Sequence, residues 1–434
     1  MANPPRQSAA RAETPSSDAA SVPAPGWSLL AILMVTYSFS WMDRFLLIVM
    51  IDPISKDLNI SNTQIGLLTG FGAALLYSLA GFPIARLADR KSRSLIIATT
   101  LGIWSAATSA IGLVRSFTAL AVLRCGIAVS SAGCSPAAYS LISDSFPPTR
   151  RGTAIAIYSL GIPIGTWAGL MLGGIAADSI GWRYAFPLLA LPGVMFALFV
   201  LFFLREPVRG RFDAHEGETA RTYSIGEAAR FLVTNKALMA MAFGFALLSF
   251  ATTSFETWIP TYLIRANGLS AGEVGTVSGL AQGLMGIIGA LFFGIVSDRL
   301  SRRDKRWYIY VPLLCGLIAS PLILLFFTLP KSSAYICYFV IEFLVSGYAP
   351  PLFAACQMLL PPRLRALGMA TILFILNVVG TGLGPSVTGW LSDLIGGHGP
   401  AGGLGPAIMA VQGAALFGLL SLLIGVSHFR RATS

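Results

Sequence analysis

Apolar residues run along this chain in long blocks, with polar residues gathered in short gaps between them. Twelve blocks are each long enough to cross a bilayer as a helix, which takes about 20 residues. They lie near 28–50, 64–87, 95–114, 117–142, 153–177, 184–204, 237–264, 274–296, 308–329, 333–359, 367–391 and 404–427. No run alternates apolar and polar positions as a membrane barrel strand would. The pattern predicts an all-α membrane protein. Residues 1–26, rich in Ala, Pro and Ser, are expected to form a disordered cytoplasmic tail, since they lack the apolar stretch of a signal peptide. The longest polar gap, 205–236, is expected to be a cytoplasmic linker between six-helix bundles at 27–204 and 237–428, with a second tail at 429–434.

Composition supports lipid as the medium. Hydrophobic residues make up 55% and charged residues 11% of the 434 positions, against about 25% charged in a soluble domain. The net charge of +11 could suggest nucleic acid, but the basic residues lie in short loops beside apolar runs. With spans alternating in direction, one side of the membrane receives 23 Lys and Arg and the other 5. Such asymmetry predicts both termini in the cytoplasm of a multi-pass inner-membrane protein, with no nucleic-acid partner. The five cysteines, Cys125, Cys134, Cys315, Cys337 and Cys356, fall in apolar runs without metal or disulfide spacing and read as core residues.

The two six-span halves repeat one another. "DRKSR" from Asp89 returns as "DRLSR" from Asp298, and "FPPTRRG" from Phe146 returns as "LPPRLRA" from Leu360. Gly165, Thr166, Gly169, Gly174 and Asp178 of the fifth span match Gly380, Thr381, Gly384, Gly389 and Asp393 of the eleventh. Both halves enter the membrane from the same side, as parallel repeats about an axis along its normal.

With these motifs the chain resembles the major facilitator superfamily. The stretches "MDR", "TQIGLLTGFGAALLYSLAGFPIARLADR", "SLISDSFPPTRRGTAIAIYSLGIPIG" and "GWRYAFPLLALPG" resemble its bacterial spinster-like branch. The resemblance implies two pseudo-symmetric six-helix bundles and secondary transport of a solute between them. It also implies lipid-like or amphipathic anions as possible solutes, and related sugar-acid and aromatic-acid symporters share the first-span Asp-Arg. Two departures stand out. Ala85 and Ser92 replace loop glycines, and Ser131 stands where the branch carries a fourth-span Glu seven residues after Arg124.

Charges inside spans cost at least ~2.5–3.5 kcal/mol on insertion scales and mark function or tight pairing. Asp43 and Arg44 sit side by side in the first span; they read as a cavity-facing ion pair or proton site, or as a structural lock. Arg124 could hold an anionic group or pair with Asp43. Glu256 stands near the repeat-equivalent of Asp43, and Glu342 lies in an equally apolar run. Asp43, Glu256 and Glu342 are therefore candidates for proton coupling. Candidates for substrate contact are Arg44, Arg124, Tyr37, Trp41, Ser131, Ser135, Gln282, Gln357 and Asn377.

Asp89, Arg90, Arg93, Asp298, Arg299 and Arg302 stand at span ends on the basic side, where acids and bases could pair across the halves as a cytoplasmic gate. No Walker, HExxH or GxSxG motif and no metal-ligand cluster is present in the sequence. The expectation is a monomeric secondary transporter without cofactor, using protons to move an organic solute that is anionic or amphipathic. Small-carboxylate symport, amphiphile export and a non-translocating sensor are the alternatives.

Overall fold

The computed structural model describes residues 24–209, 212, 225–361, 364–397 and 400–433. The expected tail at 1–26 falls almost wholly outside them. Twelve helices long and apolar enough to span a membrane are present among the described residues: Gly26–Val49, Asn62–Gly81, Arg93–Leu113, Phe117–Ser145, Pro148–Ile180, Trp182–Phe203, Lys236–Asn267, Ala271–Ser301, Trp307–Phe326, Lys331–Leu359, Leu367–Ile395 and Leu404–Phe429. Each coincides with one apolar block of the sequence. Within the 205–236 gap, Ile225–Thr234 is a further short helix, which packs against the start of the eleventh span.

Alternation of the spans defines two ends. The terminal end holds the linker and the outer ends of the first and twelfth spans; the far end holds the turns near residues 52–62, 180–182, 265–271 and 395–404.

Four spans carry an irregularity at matching places. The second breaks at Gly70, whose backbone is at φ −104°, ψ −107°, and the fifth breaks at Leu160. The eighth widens to a π-helix over Gly279–Met285, and the eleventh does so over Leu376–Leu383. Such widened turns free a backbone group and recur at functional positions.

The first span is enclosed on most sides. Gly161, Gly165 and Gly169 of the fifth span lie against the Met34, Ser38 and Met42 carbonyls, where any Cβ would collide. Small residues at four-residue spacing permit this backbone approach. The seventh span is likewise packed against the twelfth and eleventh. Four cysteines are buried as expected, but Cys125 is exposed on the fourth span, one position beyond the buried Arg124 on the helix surface.

Candidate functional site

Enclosure of the first span settles where its charges point. Asp43 is 2% exposed and turned into its own half, beside Thr108 and Trp104 of the third span and Arg124 of the fourth. Arg124 is itself buried, and its electrostatic partners are Asp43 and Arg44. Neither Asp43 oxygen makes a well-formed hydrogen bond among the described residues, and Arg124 Nε is also unmatched.

One residue on, and so about 100° around the helix, Arg44 faces the other half. Its guanidinium lies 5.3 Å from the centroid of the Trp41 ring, a cation–π arrangement. The carboxylate with which it interacts is Glu256 of the seventh span, with Tyr77 and Tyr37 adding to the surroundings. Arg44 and Glu256 are both half-buried. Their electrostatic interaction crosses the boundary between the bundles.

The second half continues the network. Gln282, in the π-helical turn of the eighth span, donates through Nε2 to the Glu256 carbonyl at 3.2 Å and to the Tyr338 hydroxyl at 2.9 Å. Tyr338 lies one helical turn before Glu342, which is 3% exposed and interacts with Glu256. Thr252 and Tyr348 share a hydroxyl hydrogen bond of 2.9 Å nearby. Electrostatic interactions link five ionisable side chains across the axis, attractive between Asp43 and Arg124 and between Arg44 and Glu256, repulsive between Arg124 and Arg44 and between Glu256 and Glu342.

The other candidates divide. Tyr37 stacks on Tyr158 at 4.5 Å and meets Trp41 edge-on at 6.2 Å, so both belong to the wall around Arg44. Ser135 is half-buried beside Tyr77 and Tyr158. Ser131 turns back to the Ala128 carbonyl at 3.2 Å. Asn377 sits half-buried in the π-helical turn of the eleventh span. Gln357 is exposed and stands outside the central network. Tyr77, Tyr158, Trp104, Tyr338 and Tyr348 were not singled out in the sequence, because one aromatic residue in an apolar run looks like any other until its neighbours are known.

The far end is latched by a symmetric device. Asp178, closing the fifth span, accepts hydrogen bonds from the Ala271 and Gly272 amides at 3.1 and 2.7 Å. Asp393, closing the eleventh, accepts from the Asn62 and Thr63 amides at 3.2 and 2.7 Å and from the Thr63 hydroxyl at 2.6 Å. Each carboxylate caps the exposed amides at the start of a helix in the opposite half, where the helix dipole favours negative charge. Those two helix starts also carry matching capping boxes, Ser61 with Gln64 and Ser270 with Glu273. Between them Arg265 donates to Asp52 at 2.7 Å, Asn62 at 2.9 Å and Ser55 at 3.0 Å.

At the terminal end Arg93 and Asp298 find partners near their own spans. Arg93 bonds Asp144 and, at 2.8 Å, Glu206, rather than an acid of the other half. Glu206 lies outside the spans; its partial burial opposes ionisation, but hydrogen bonds from Arg93 and Ser92 outweigh that and hold its carboxyl below the usual range. Asp298 accepts from Tyr308 at 2.9 Å in its own half. Arg90, Arg299 and Arg302 are exposed, and the Asp89 side chain lies outside the described residues. Among the described residues, the ion pair that joins the two bundles at a membrane end is therefore Arg265–Asp52, at the far end.

Two closely packed bundles, charged side chains between them and, among the described residues, a latch at the far end fit the architecture of a carrier. The family model of the Major Facilitator Superfamily matches residues 33–385. An MFS-type efflux pump of Mycolicibacterium smegmatis is 34% identical over 411 residues, covering 94% of each chain. A sphingosine-1-phosphate transporter of Danio rerio is 27% identical over 82% of this chain and 73% of its own length. Among solved structures, a bacterial homolog of the human lysosomal transporter spinster, in an inward-facing and unoccupied conformation, superposes with a TM-score of 0.87 at 26% identity over 95% of this chain and 99% of that one. This chain is a twelve-span integral membrane protein belonging to the Major Facilitator Superfamily, in its spinster-like branch.

Proposed function

We propose that this transporter moves an amphipathic organic solute across the inner membrane by proton-coupled alternating access. One observation carries the reading. A network of acids and bases crosses the boundary between the bundles, and the helix caps that join the bundles among the described residues lie at the far end. The excess of Lys and Arg on the terminal side supports cytoplasmic termini, which makes this conformation inward-facing. Likeness to an inward-facing spinster homolog supports the same assignment, and likeness to an efflux pump favours export.

The electrostatic interaction between Arg44 and Glu256 is the joint that a solute must part. A head group entering there leaves Glu256 without its counter-charge, and a carboxylate in a water-poor site then takes a proton rather than remain charged alone. Neutralised in that way, the centre passes through the occluded state without isolated charge. Asp43 and Arg124 lie behind Arg44 and set its position.

Counterflow and pH-gradient-driven uptake in proteoliposomes test the proposal. Glu256→Gln should retain exchange and lose the pH drive. Unchanged pH dependence in both Asp43→Asn and Glu256→Gln would refute proton coupling through these groups, and ligand binding with no exchange would make the protein a sensor. A second reading, small-carboxylate symport, draws on the half-buried Arg44 with the Trp41 ring beside it. Competition between amphiphiles and sugar acids in the same assay separates the two.

A further inference from the structure

A cavity of about 740 Å³ opens at the far end, beside the latch. Its volume lies within the range of about 300–1,000 Å³ usual for small-molecule sites. Ile175, Asp178 and Ser179 of the fifth span line it from one half, and Leu269, Glu273 and Tyr335 from the other. Asp178 is also the carboxylate that caps the Ala271 and Gly272 amides. Because its walls belong to different halves, the cavity is complete only while the far end is closed.

The lining is acidic. Asp178 and Glu273 are its charged members, and among the described residues no Lys, Arg or His lines it. Asp178 is engaged in the latch, but the cap at Glu273 does not need a charge. The sister capping box in the first half does the same work with neutral Gln64, since Glu and Gln both accept from the cap amide. The helix dipole favours an acid at either helix start, yet the first turn that holds Gln64 has none. The charge that distinguishes the second half therefore stands, exposed, at the cavity, where it favours a cation.

Polarity is graded with depth on both walls. Asp178 stands near the end of the fifth span, with Ile175 one turn deeper; Glu273 stands near the start of the eighth, with Val277 one turn deeper. Leu172 and Ile336, next to Ile175 and Tyr335 on their spans, are exposed and continue the apolar strip. Tyr335 lies one turn from the end of the tenth span, the depth at which tyrosines mark the membrane–water interface. An acyl chain fits that strip while its head group reaches the acids. Lys331, exposed one turn before Tyr335 on the water side, supplies a base for a phosphate.

We infer that this cavity holds the head group of a zwitterionic phospholipid with a primary ammonium, phosphatidylethanolamine, and that the lipid favours the conformation closed at the far end. A ligand that binds one conformation better shifts the population toward it. N–H groups give a carboxylate charge-assisted hydrogen bonds, which the trimethylammonium of phosphatidylcholine lacks.

The test uses the full chain in nanodiscs of phosphatidylethanolamine or phosphatidylcholine, each with the same share of phosphatidylglycerol. Spin-label distances between the far ends of the bundles report closure, and native mass spectrometry reports which lipid is retained. Phosphatidylethanolamine should be retained preferentially and should raise the ratio of closed to open far ends by about threefold or more. Glu273→Gln keeps the cap and should remove most of that difference. Ser179→Lys, which brings an ammonium of the protein's own to the cavity, should remove it as well. Equal closure in the two lipids, an ethanolamine effect unchanged in both variants, or closure that follows the share of phosphatidylglycerol overturns the assignment. No transport is measured, so the outcome is independent of the proton-coupling reading.

Discussion

Asp178 and Asp393 occupy equivalent positions in the two halves and do the same work, whereas Asp43 and Glu256, also near-equivalent, do not. At the far end each aspartate caps a helix of the opposite bundle. At the centre, Asp43 is buried in its own bundle with Arg124, while Glu256 reaches across to Arg44. The duplication is preserved where the bundles must part and meet as rigid bodies. It is broken at the centre, where Asp43 and Glu256 have different surroundings. Closing a gate is a mechanical task that two similar halves share, but binding an asymmetric molecule requires an asymmetric site.

This contrast can be broken at several points. The largest effect belongs to the centre. Arg124→Ala leaves Asp43 buried without its base and should cost about 3–5 kcal/mol of stability, with Asp43→Asn in the same chain recovering most of it; thermal unfolding in detergent measures both. A failure of the double variant to recover would mean that Asp43 is not paired with Arg124.

Next comes the backbone contact between the fifth and eighth spans. A side chain on Gly275 would collide with the Leu170 carbonyl. Gly275→Val should therefore cost the latched state about 1–3 kcal/mol and shift the population toward a far end open to solvent. Labelling of a cysteine placed at the far-end surface, with native Cys125 removed, reports that shift.

Asp178→Asn and Asp393→Asn should each weaken the latch by about 0.5–2 kcal/mol, by comparable amounts because both cap two amides of the opposite half. Spin-label distances between the bundles check this, and unequal effects would mean that the symmetry of the latch is only apparent. The smallest effect is expected at Asp57. Its 2.7 Å pair with Arg183 is exposed and lies within one half, so Asp57→Ala should change stability by less than about 1 kcal/mol and leave far-end accessibility unaltered.

Much of this molecule was legible before any coordinate. Twelve spans, two repeats and the ionisable residues within them follow from linear patterns: a bilayer demands long apolar helices, and a charge inside one cannot be hidden from a reader. The Asp178 and Asp393 match was also visible, though its meaning was not, because a helix cap in the opposite bundle has no signature in sequence. Similarly, "DRKSR" and "DRLSR" suggested acid–base pairs between halves. In the structure Arg93 instead spans Asp144 and Glu206 of its own half, and the bundle-to-bundle pair is Arg265 with Asp52.

Sequence by itself determined the medium, the number of spans, the duplication and the cost of carrying Asp43, Arg44, Arg124, Glu256 and Glu342 within them. Only tertiary structure decided which acid answers which base, as with Arg265 and Asp52 at the far end. Burial of a charge is enforced locally by the apolar residues on either side of it, but pairing depends on helix rotation and on contacts between residues as far apart as 52 and 265, which packing alone sets.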